Sequence, residues 1–130
     1  MELAGKVCVV TGAAGGIGLA MATRFADEGA AGVVLCDVDA ARTEDAAATL
    51  PFGRGVAVAG DVTDPATHVR LVETAEARFG PVDLYCSNAG IGGVGIDDDV
   101  EQWDAVWRVN TLAHVLAVRA VLPSMLDRGD

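Results

Sequence analysis

Short apolar runs alternate along the chain with longer stretches in which apolar residues recur every three or four positions. The runs are rich in β-branched residues and end at turn residues, which predicts four buried strands, at 6–11, 32–37, 55–59 and 82–87. The longer stretches predict helices at about 16–28, 39–50, 63–79 and 100–127. Because the strands are continuously apolar, we predict a parallel sheet covered by helices on both faces.

The composition fits one globular domain over residues 1–130. It is 52% hydrophobic, with 16 glycines and 5% aromatic residues, and this suits helices that pack closely on a sheet. The formal net charge is −10 and the nine Lys and Arg residues are scattered. We therefore expect neither nucleic acid nor an anionic membrane surface among the partners, because no basic cluster is available to hold them.

The chain begins with a short segment, residues 1–6, that leads directly into the first strand without a basic region or a small-residue cleavage site. This predicts a cytoplasmic protein without a signal peptide. The most apolar long stretch, 109–126, is predicted to be too polar for a membrane span, because it is interrupted by Asn110, His114, Arg119 and Pro123.

The cysteines and histidines are predicted to be structural. Cys8, Cys36 and Cys86 each lie inside an apolar run, which favours buried free thiols over disulfides, and no paired spacing suggests a metal site. His68 has charged neighbours and is predicted to lie on the surface. His114 is predicted to be packed in the core or in an interface.

A glycine-rich turn joins the first predicted strand to the first helix. Gly12, Gly16 and Gly18 have the spacing G-x-x-x-G-x-G. A helix N-terminus presents unpaired backbone N–H groups and a partial positive charge, and glycines allow a pyrophosphate to approach them closely. The alternative is a tight strand-to-helix connection without a ligand.

Asp37 ends the second strand, 19 residues after Gly18, and makes a dinucleotide the favoured ligand. Its carboxylate can accept hydrogen bonds from ribose hydroxyls, each contributing about 1.5–3 kcal/mol, and would repel a 2′-phosphate. No Lys or Arg lies in the turn or directly after Asp37, so NAD is predicted over NADP. The alternative is a solvated charge or a helix cap, although Asp39 is better placed as the cap.

Two segments resemble motifs of the short-chain dehydrogenase/reductases. Residues 11–18, TGAAGGIG, match T-G-x-x-x-G-x-G, and 87–90, SNAG, match N-N-A-G with Ser87 in place of the first Asn. The resemblance implies a Rossmann-like, doubly wound α/β fold with strand order 3-2-1-4. It also implies an oxidoreductase that transfers hydride between NAD and a small alcohol or ketone. The implied cofactor-binding residues are Gly12, Gly15, Gly16, Ile17, Gly18, Asp37, Asp61, Val62, Asn88, Ala89 and Gly90.

The resemblance also implies roles for single side chains. Asp61 would face the adenine amino group, unless it only caps the entry to a helix. Asn88 would either tie neighbouring loops together or contact the cofactor directly, and both possibilities stay open. Asn110 matches the catalytic Asn that perturbs the long helix locally and holds a water in the proton relay. A polar amide in an apolar helix needs a partner, so a buried, hydrogen-bonded site is expected there, although Asn110 could also be satisfied in a core or interface.

The family's proton chemistry uses a Tyr followed four positions later by a Lys. This chain has one Tyr and one Lys: Tyr85, with Ala89 four residues on, and Lys6. We therefore expect the chain to be the cofactor-binding half of the enzyme, ending before the fifth strand, inactive alone, and forming homo-oligomers through the 100–127 helix at full length. The alternative is a non-catalytic NAD-binding or regulatory module.

Overall fold

The fold is a single parallel sheet with helices on both faces. The computed structural model describes residues 2–93 and 95–129. Within these, the strands are β1 (Val7–Thr11), β2 (Gly32–Asp37), β3 (Gly55–Ala59) and β4 (Leu84–Cys86), in the sheet order β3-β2-β1-β4. The helices are α1 (Gly16–Asp27), α2 (Ala40–Thr49), α3 (Pro65–Arg78), α4 (Val100–Trp107) and α5 (Ala113–Arg128). The predicted Rossmann-like α/β class and strand order are confirmed.

Successive side chains of the two central strands fill two separate cores. In β1, Cys8 and Val10 pack in a core with the alanines of α1 and α2, whereas Val7 and Val9 face Leu71 and other residues of α3 and α5. The side chains of β2 divide between the same two cores. Because side chains alternate across a strand, a sheet covered on both faces requires an apolar residue at every position.

The helix ends are set by short polar residues and glycine. The side chain of Asp39 accepts a hydrogen bond from the Arg42 amide at 3.1 Å, which confirms Asp39 as the cap of α2. Asp64 caps α3 in the same way, through the Ala66 amide at 2.9 Å, with Pro65 in the first turn. Gly29 has a φ of 87° and follows the end of α1.

β4 is shorter than predicted, Leu84–Cys86 rather than 82–87. Among the described strands it pairs only with β1, so its other edge has no neighbouring strand. At one end, the carboxylate of Asp83 accepts a hydrogen bond from the Val7 amide at 2.8 Å. At the other end, Asn88 turns back toward Thr11.

The predicted long helix is continuous over Val100–Arg128 but is not α-helical throughout. A π turn, Arg108–Leu112, separates α4 from α5. The run contains an 18-residue window of mean hydropathy 1.4, so by length and composition it is apolar enough to cross a membrane. The prediction that its polar residues exclude this is wrong. Ala113, Ala117 and Val121 are buried, and α5 packs on α3. Only 17% of that window is buried, whereas a core helix that passes this test is mostly buried.

Candidate functional site

A cleft of about 150 Å³ opens at the carboxyl edge of the sheet. Its lining residues are Gly12, Asp37, Val38, Gly60, Asp61, Val62, Ala89, Gly90, Ile91 and Val109. The strand order reverses at β1, which has β2 on one side and β4 on the other. In open α/β sheets this is the position at which ligands bind. Of the predicted set, Gly15, Gly16, Ile17, Gly18 and Asn88 do not line the cleft.

Two glycines of the turn are required because other parts of the chain approach them. A Cβ on Gly12 would lie 2.8 Å from the Cα of Ala89, and Gly12 also has a φ of 67°. A Cβ on Gly18 would lie 2.1 Å from the carbonyl oxygen of Gly12. The first turn of α1 therefore packs directly on the end of β1, and the 87–90 segment packs on the turn from the other side.

The third motif glycine serves a different purpose. Gly16 has a φ of 55°, and a Cβ there would meet no atom within 4 Å. The N-cap, Gly15, has no side chain with which to cap α1, and Ile17 is 74% exposed. The N-terminus of α1 is thus open to solvent, with amides available to an anion such as a phosphate.

Asp37 is held at the edge of this turn by two backbone amides. One carboxylate oxygen accepts from the Ala14 amide at 3.2 Å, and the other accepts from the Asp39 amide at 3.4 Å. Asp37 lines the cleft and is only partly exposed. Asp39 caps α2, so the alternative of Asp37 as the helix cap is wrong.

Arg42, which the sequence did not single out, contacts the glycine turn from α2, although it does not line the cleft. Its Nη2 lies 3.4 Å from the Ala14 carbonyl oxygen and 2.8 Å from where a Cβ of Gly15 would be. Arg42 lies neither in the turn nor directly after Asp37 in the sequence. The helix cap at Asp39 could have indicated this contact. A helix that starts after Asp39 directs its first turn, which includes Arg42, toward the neighbouring glycine turn.

Thr11 and Asn88 join β1 to the segment after β4. The Thr11 hydroxyl accepts from the amides of Asn88 at 3.0 Å and Ala89 at 3.1 Å. The Asn88 side chain donates to the carbonyl oxygens of Thr11 at 3.0 Å and Gly12 at 3.4 Å. Asn88 therefore ties neighbouring loops together in this structure. Thr11, fully buried, was not among the predicted site residues.

The segment after β3 forms another wall of the cleft. Asp61 is exposed, and its side chain accepts from the Thr63 amide at 2.8 Å. The cap of α3 is Asp64, so the alternative of Asp61 as that cap is wrong. Val62 is buried, and its carbonyl oxygen lies 2.8 Å from the Nε2 of His68.

His68 is fully buried, so the prediction that it lies on the surface is wrong. Its Nδ1 lies 2.8 Å from the hydroxyl oxygen of Tyr85. A carbonyl can only accept, so the Nε2 carries a proton and donates to Val62, and the Nδ1 pairs with the Tyr85 hydroxyl. Charged residues flank His68 in the sequence, but its own position on α3 faces the sheet.

Asn110 is bonded reciprocally to the backbone of Ile91. Its Oδ1 accepts from the Ile91 amide at 2.9 Å, and its Nδ2 donates to the Ile91 carbonyl at 2.7 Å. Asn110 lies within the π turn, where the Ala113 amide donates to the carbonyl of Arg108, five residues back. The helix is therefore perturbed locally at this position. Asn110 is exposed, so the expectation of a buried site is wrong, and its catalytic role stays a prediction.

The single Tyr and the single Lys do not line the cleft. The Nζ of Lys6 lies 3.2 Å from the Asp83 carboxylate, before the first residue of β1. Tyr85 is half-buried beside His68, and desolvation raises the pKa of its hydroxyl. Within 2–93 and 95–129, no group of three or more His, Cys, Asp or Glu side chains is placed to hold a metal ion.

The chain is similar to known dehydrogenases along its whole length. A model of the short chain dehydrogenase family matches residues 6–130. A 1-deoxy-11-beta-hydroxypentalenate dehydrogenase of Streptomyces arenae is 46% identical over 130 residues, covering 95% of this chain and 46% of that protein. The structure of a short chain dehydrogenase/reductase from Burkholderia phymatum in complex with NAD has a TM-score of 0.93 at 34% identity, covering 100% of this chain and 47% of that one.

A second solved structure is similar to the same extent. The 3-ketoacyl-(acyl-carrier-protein) reductase from Brucella melitensis complexed with NADH has a TM-score of 0.90 at 37% identity, covering 98% of this chain and 53% of that one. The chain spans about half the length of the curated relatives that it matches. The family match includes the glycine turn, the 87–90 segment and Asn110. The chain belongs to the short chain dehydrogenase family.

Proposed function

We propose that the protein carrying this chain is a NAD-dependent oxidoreductase that transfers hydride between a small alcohol or ketone and the nicotinamide, and that it works in the cytoplasm. The position of Asp37 carries this proposal. Its carboxylate lies at the carboxyl end of β2, lines the cleft and is fixed to the glycine turn by the Ala14 amide. An acidic residue at this position favours an unmodified ribose over a ribose 2′-phosphate.

The residues of the turn fit a dinucleotide. Gly18 lets α1 lie directly on the Gly12 carbonyl, and Gly12 lets the segment at Ala89 lie directly on the turn, so no side chain fits at either position. Gly16 leaves the first amides of α1 uncovered, and these would hold the phosphates. When bound, the nicotinamide would supply the hydride chemistry itself. The similar structures from Burkholderia phymatum and Brucella melitensis, which hold NAD and NADH, support the same cofactor class.

The chemical groups that move the proton belong, in our proposal, to a part of the protein beyond residue 130. Lys6 is paired with Asp83 and Tyr85 is bonded to His68, so neither is available at the cleft. We expect a Tyr-x-x-x-Lys pair in the remaining part, and Asn110 would position groups near it. If a verified full-length protein lacks that pair, the alternative of a non-catalytic NAD-binding or regulatory module is favoured.

The test is a titration of the full-length protein with NAD and with NADP. Asp37→Ser removes the carboxylate, and we expect NAD affinity to fall about tenfold or more, because at least one charge-assisted hydrogen bond is lost. NADP affinity should rise relative to NAD. Asp127→Ser, which removes an exposed carboxylate near the end of α5, serves as the control and should change neither affinity. An unchanged preference in Asp37→Ser would contradict the assignment.

A further inference from the structure

The peptide group between Val62 and Thr63 is held on both of its sides. Its carbonyl oxygen, on Val62, accepts a hydrogen bond from the Nε2 of His68 at 2.8 Å. Its amide, on Thr63, donates to the Oδ1 of Asp61 at 2.8 Å. A peptide group is planar, so a bond that fixes the direction of its carbonyl also fixes the direction of its N–H. His68 and Asp61 are therefore connected through a single rigid unit.

The imidazole of His68 is itself held in one orientation. His68 is fully buried on α3, and its Nδ1 pairs with the hydroxyl of Tyr85 at 2.8 Å. Tyr85 lies in β4, opposite Val9 of β1 in the sheet. Because both ring nitrogens are bonded, a rotation of the ring would break at least one hydrogen bond. The sheet thus orients the ring through Tyr85, and the ring orients the peptide group after Val62.

Asp61 is exposed, yet its carboxylate has a defined position at the cleft that it lines. Its Oδ1 accepts the Thr63 amide, and within residues 2–93 and 95–129 no hydrogen bond or ion pair uses its Oδ2. This second oxygen is therefore available to a ligand in the cleft. A solvated side chain loses conformational entropy when a ligand orders it, and a carboxylate that is already ordered loses less.

We propose that His68 is a positioning residue for the dinucleotide, which orients the Asp61 carboxylate toward the adenine amino group through the Val62–Thr63 peptide. This inference rests on the proposed dinucleotide function. His68 does not line the cleft, so it acts through this peptide group and not by contact with the ligand. The recognition of adenine should then depend on the imidazole more than the binding of the rest of the dinucleotide does.

The test uses NAD and its analogue with hypoxanthine in place of adenine, each titrated by calorimetry into the full-length protein. Hypoxanthine has a carbonyl oxygen where adenine has its amino group, so it offers the Asp61 carboxylate an acceptor instead of a donor. The ratio of the two affinities is the adenine preference. We expect His68→Leu to lower this preference about three- to tenfold, the effect of one misplaced hydrogen bond. His68→Gln, whose amide can still donate to Val62, should keep most of it.

Two further variants separate positioning from stability. Tyr85→Phe removes the hydroxyl that holds the ring, and it should lower the adenine preference by less than His68→Leu does. If His68→Leu does not fold, an unchanged preference in Tyr85→Phe overturns the proposal. The control is Leu71→Ala, which removes a fully buried side chain further along α3 but none of these hydrogen bonds. Leu71→Ala should leave the preference unchanged, and a fall equal to that in His68→Leu would overturn the proposal.

A double-mutant cycle tests whether His68 acts through Asp61. Asp61→Ala alone should lower the adenine preference, and the addition of His68→Leu should lower it no further, because the carboxylate to be positioned is absent. Additive losses would contradict the proposal. A wild-type protein that binds NAD and the hypoxanthine analogue equally would overturn this inference and leave the proposed function standing. Binding of neither dinucleotide by the wild-type protein would overturn the proposed function itself.

Discussion

The imidazole of His68 on α3 and the hydroxyl of Tyr85 on β4 are joined by a hydrogen bond of 2.8 Å. The other ring nitrogen of His68 bonds the Val62 carbonyl at 2.8 Å, and Val62 lines the cleft. One buried side chain therefore connects the strand β4 to the wall that the segment after β3 forms. Tyr85 and Val62 are far apart in the sequence, so this connection exists only in the folded protein.

Replacing His68 should destabilise the fold strongly. In His68→Leu, the Tyr85 hydroxyl and the Val62 carbonyl lose their partner inside the protein. Each unsatisfied buried group costs about 1–3 kcal/mol, so we expect the free energy of unfolding to fall by about 2–4 kcal/mol. Urea unfolding of the full-length protein measures the loss. The other histidine, His114, is exposed, and His114→Leu is the matched control. Equal losses in the two variants would contradict the role assigned to His68.

Substitutions in the glycine turn can separate the effect of a steric clash from the effect of an unfavourable backbone conformation. Gly16→Ala introduces no clash but places a side chain at a φ of 55°, which costs about 1–2 kcal/mol. Gly5→Ala is the matched control, because Gly5 also has a positive φ and open space around it, away from the cleft. We expect similar losses in unfolding free energy, measured by thermal denaturation, but weaker dinucleotide binding only in Gly16→Ala.

A substitution at Gly18 should be far more damaging than one at Gly16. The new Cβ of Gly18→Ala would lie 2.1 Å from the Gly12 carbonyl oxygen, so α1 or the end of β1 must move. We expect a lower melting temperature than in Gly16→Ala, together with loss of dinucleotide binding in a titration. If Gly18→Ala binds a dinucleotide as wild type does, the close packing of α1 on Gly12 is not needed for the site.

Asn110 should control the order of the segment that follows Gly90. Its amide makes two hydrogen bonds with the Ile91 backbone, and Asn110→Leu removes both. We expect the Ile91 amide to exchange with solvent hydrogen faster in this variant, which hydrogen–deuterium exchange with mass spectrometry measures. Thr111→Val, at the next position of the π turn, is the control and should leave that exchange rate unchanged. Protection of Ile91 in Asn110→Leu would show that another group holds this segment.

The buried thiols should make the fold sensitive to alkaline pH. Burial raises the pKa of both Cys8 and Cys36 from 9.0 to about 12. Between these values the folded state keeps protons that the unfolded state has released, so the free energy of unfolding should fall as pH rises from 9 toward 12. Urea denaturation across this pH range measures the slope. The Cys8→Ala/Cys36→Ala variant should lose stability less steeply, and an unchanged slope would contradict the assignment.

The apolar outer face of α4 predicts association of the full-length protein. Trp107 is 62% exposed and lies in the 100–127 helix through which we expect oligomers to form. Trp107→Glu places a charge in that interface, and sedimentation should then detect smaller species, because an unpaired charge is costly to bury. Phe52→Glu is the control, since Phe52 is an aromatic residue 88% exposed outside that helix. If Trp107→Glu and the wild-type protein sediment as species of the same size, this result argues against the interface.

The features that depend on local chemistry were predictable from the sequence. The apolar runs of β1 and β2, the caps at Asp39 and Asp64 and the glycine turn each follow from neighbouring residues. The strand order and the cleft followed from the family resemblance, which carries long-range information that periodicity lacks.

The features that depend on long-range contacts were not predictable in the same way. His68 was assigned to the surface from its charged neighbours, but burial is set by helix orientation, and α3 directs this position toward Tyr85. The contact of Arg42 with Ala14 joins residues 28 positions apart, so the sequence near the turn gives no sign of it. Asn110 was expected to be buried, yet its partner is the backbone of an exposed loop residue, Ile91.

The hydrogen bonds among Thr11, Asn88 and Ala89 have a consequence for the thermodynamics of binding. Three hydrogen bonds of 3.0–3.1 Å, all made between residues of the chain itself, hold the end of β1 and the 88–89 segment together. The conformational entropy of these segments is therefore lost when the chain folds and not when a ligand arrives. Such preorganisation leaves more of the interaction free energy for affinity.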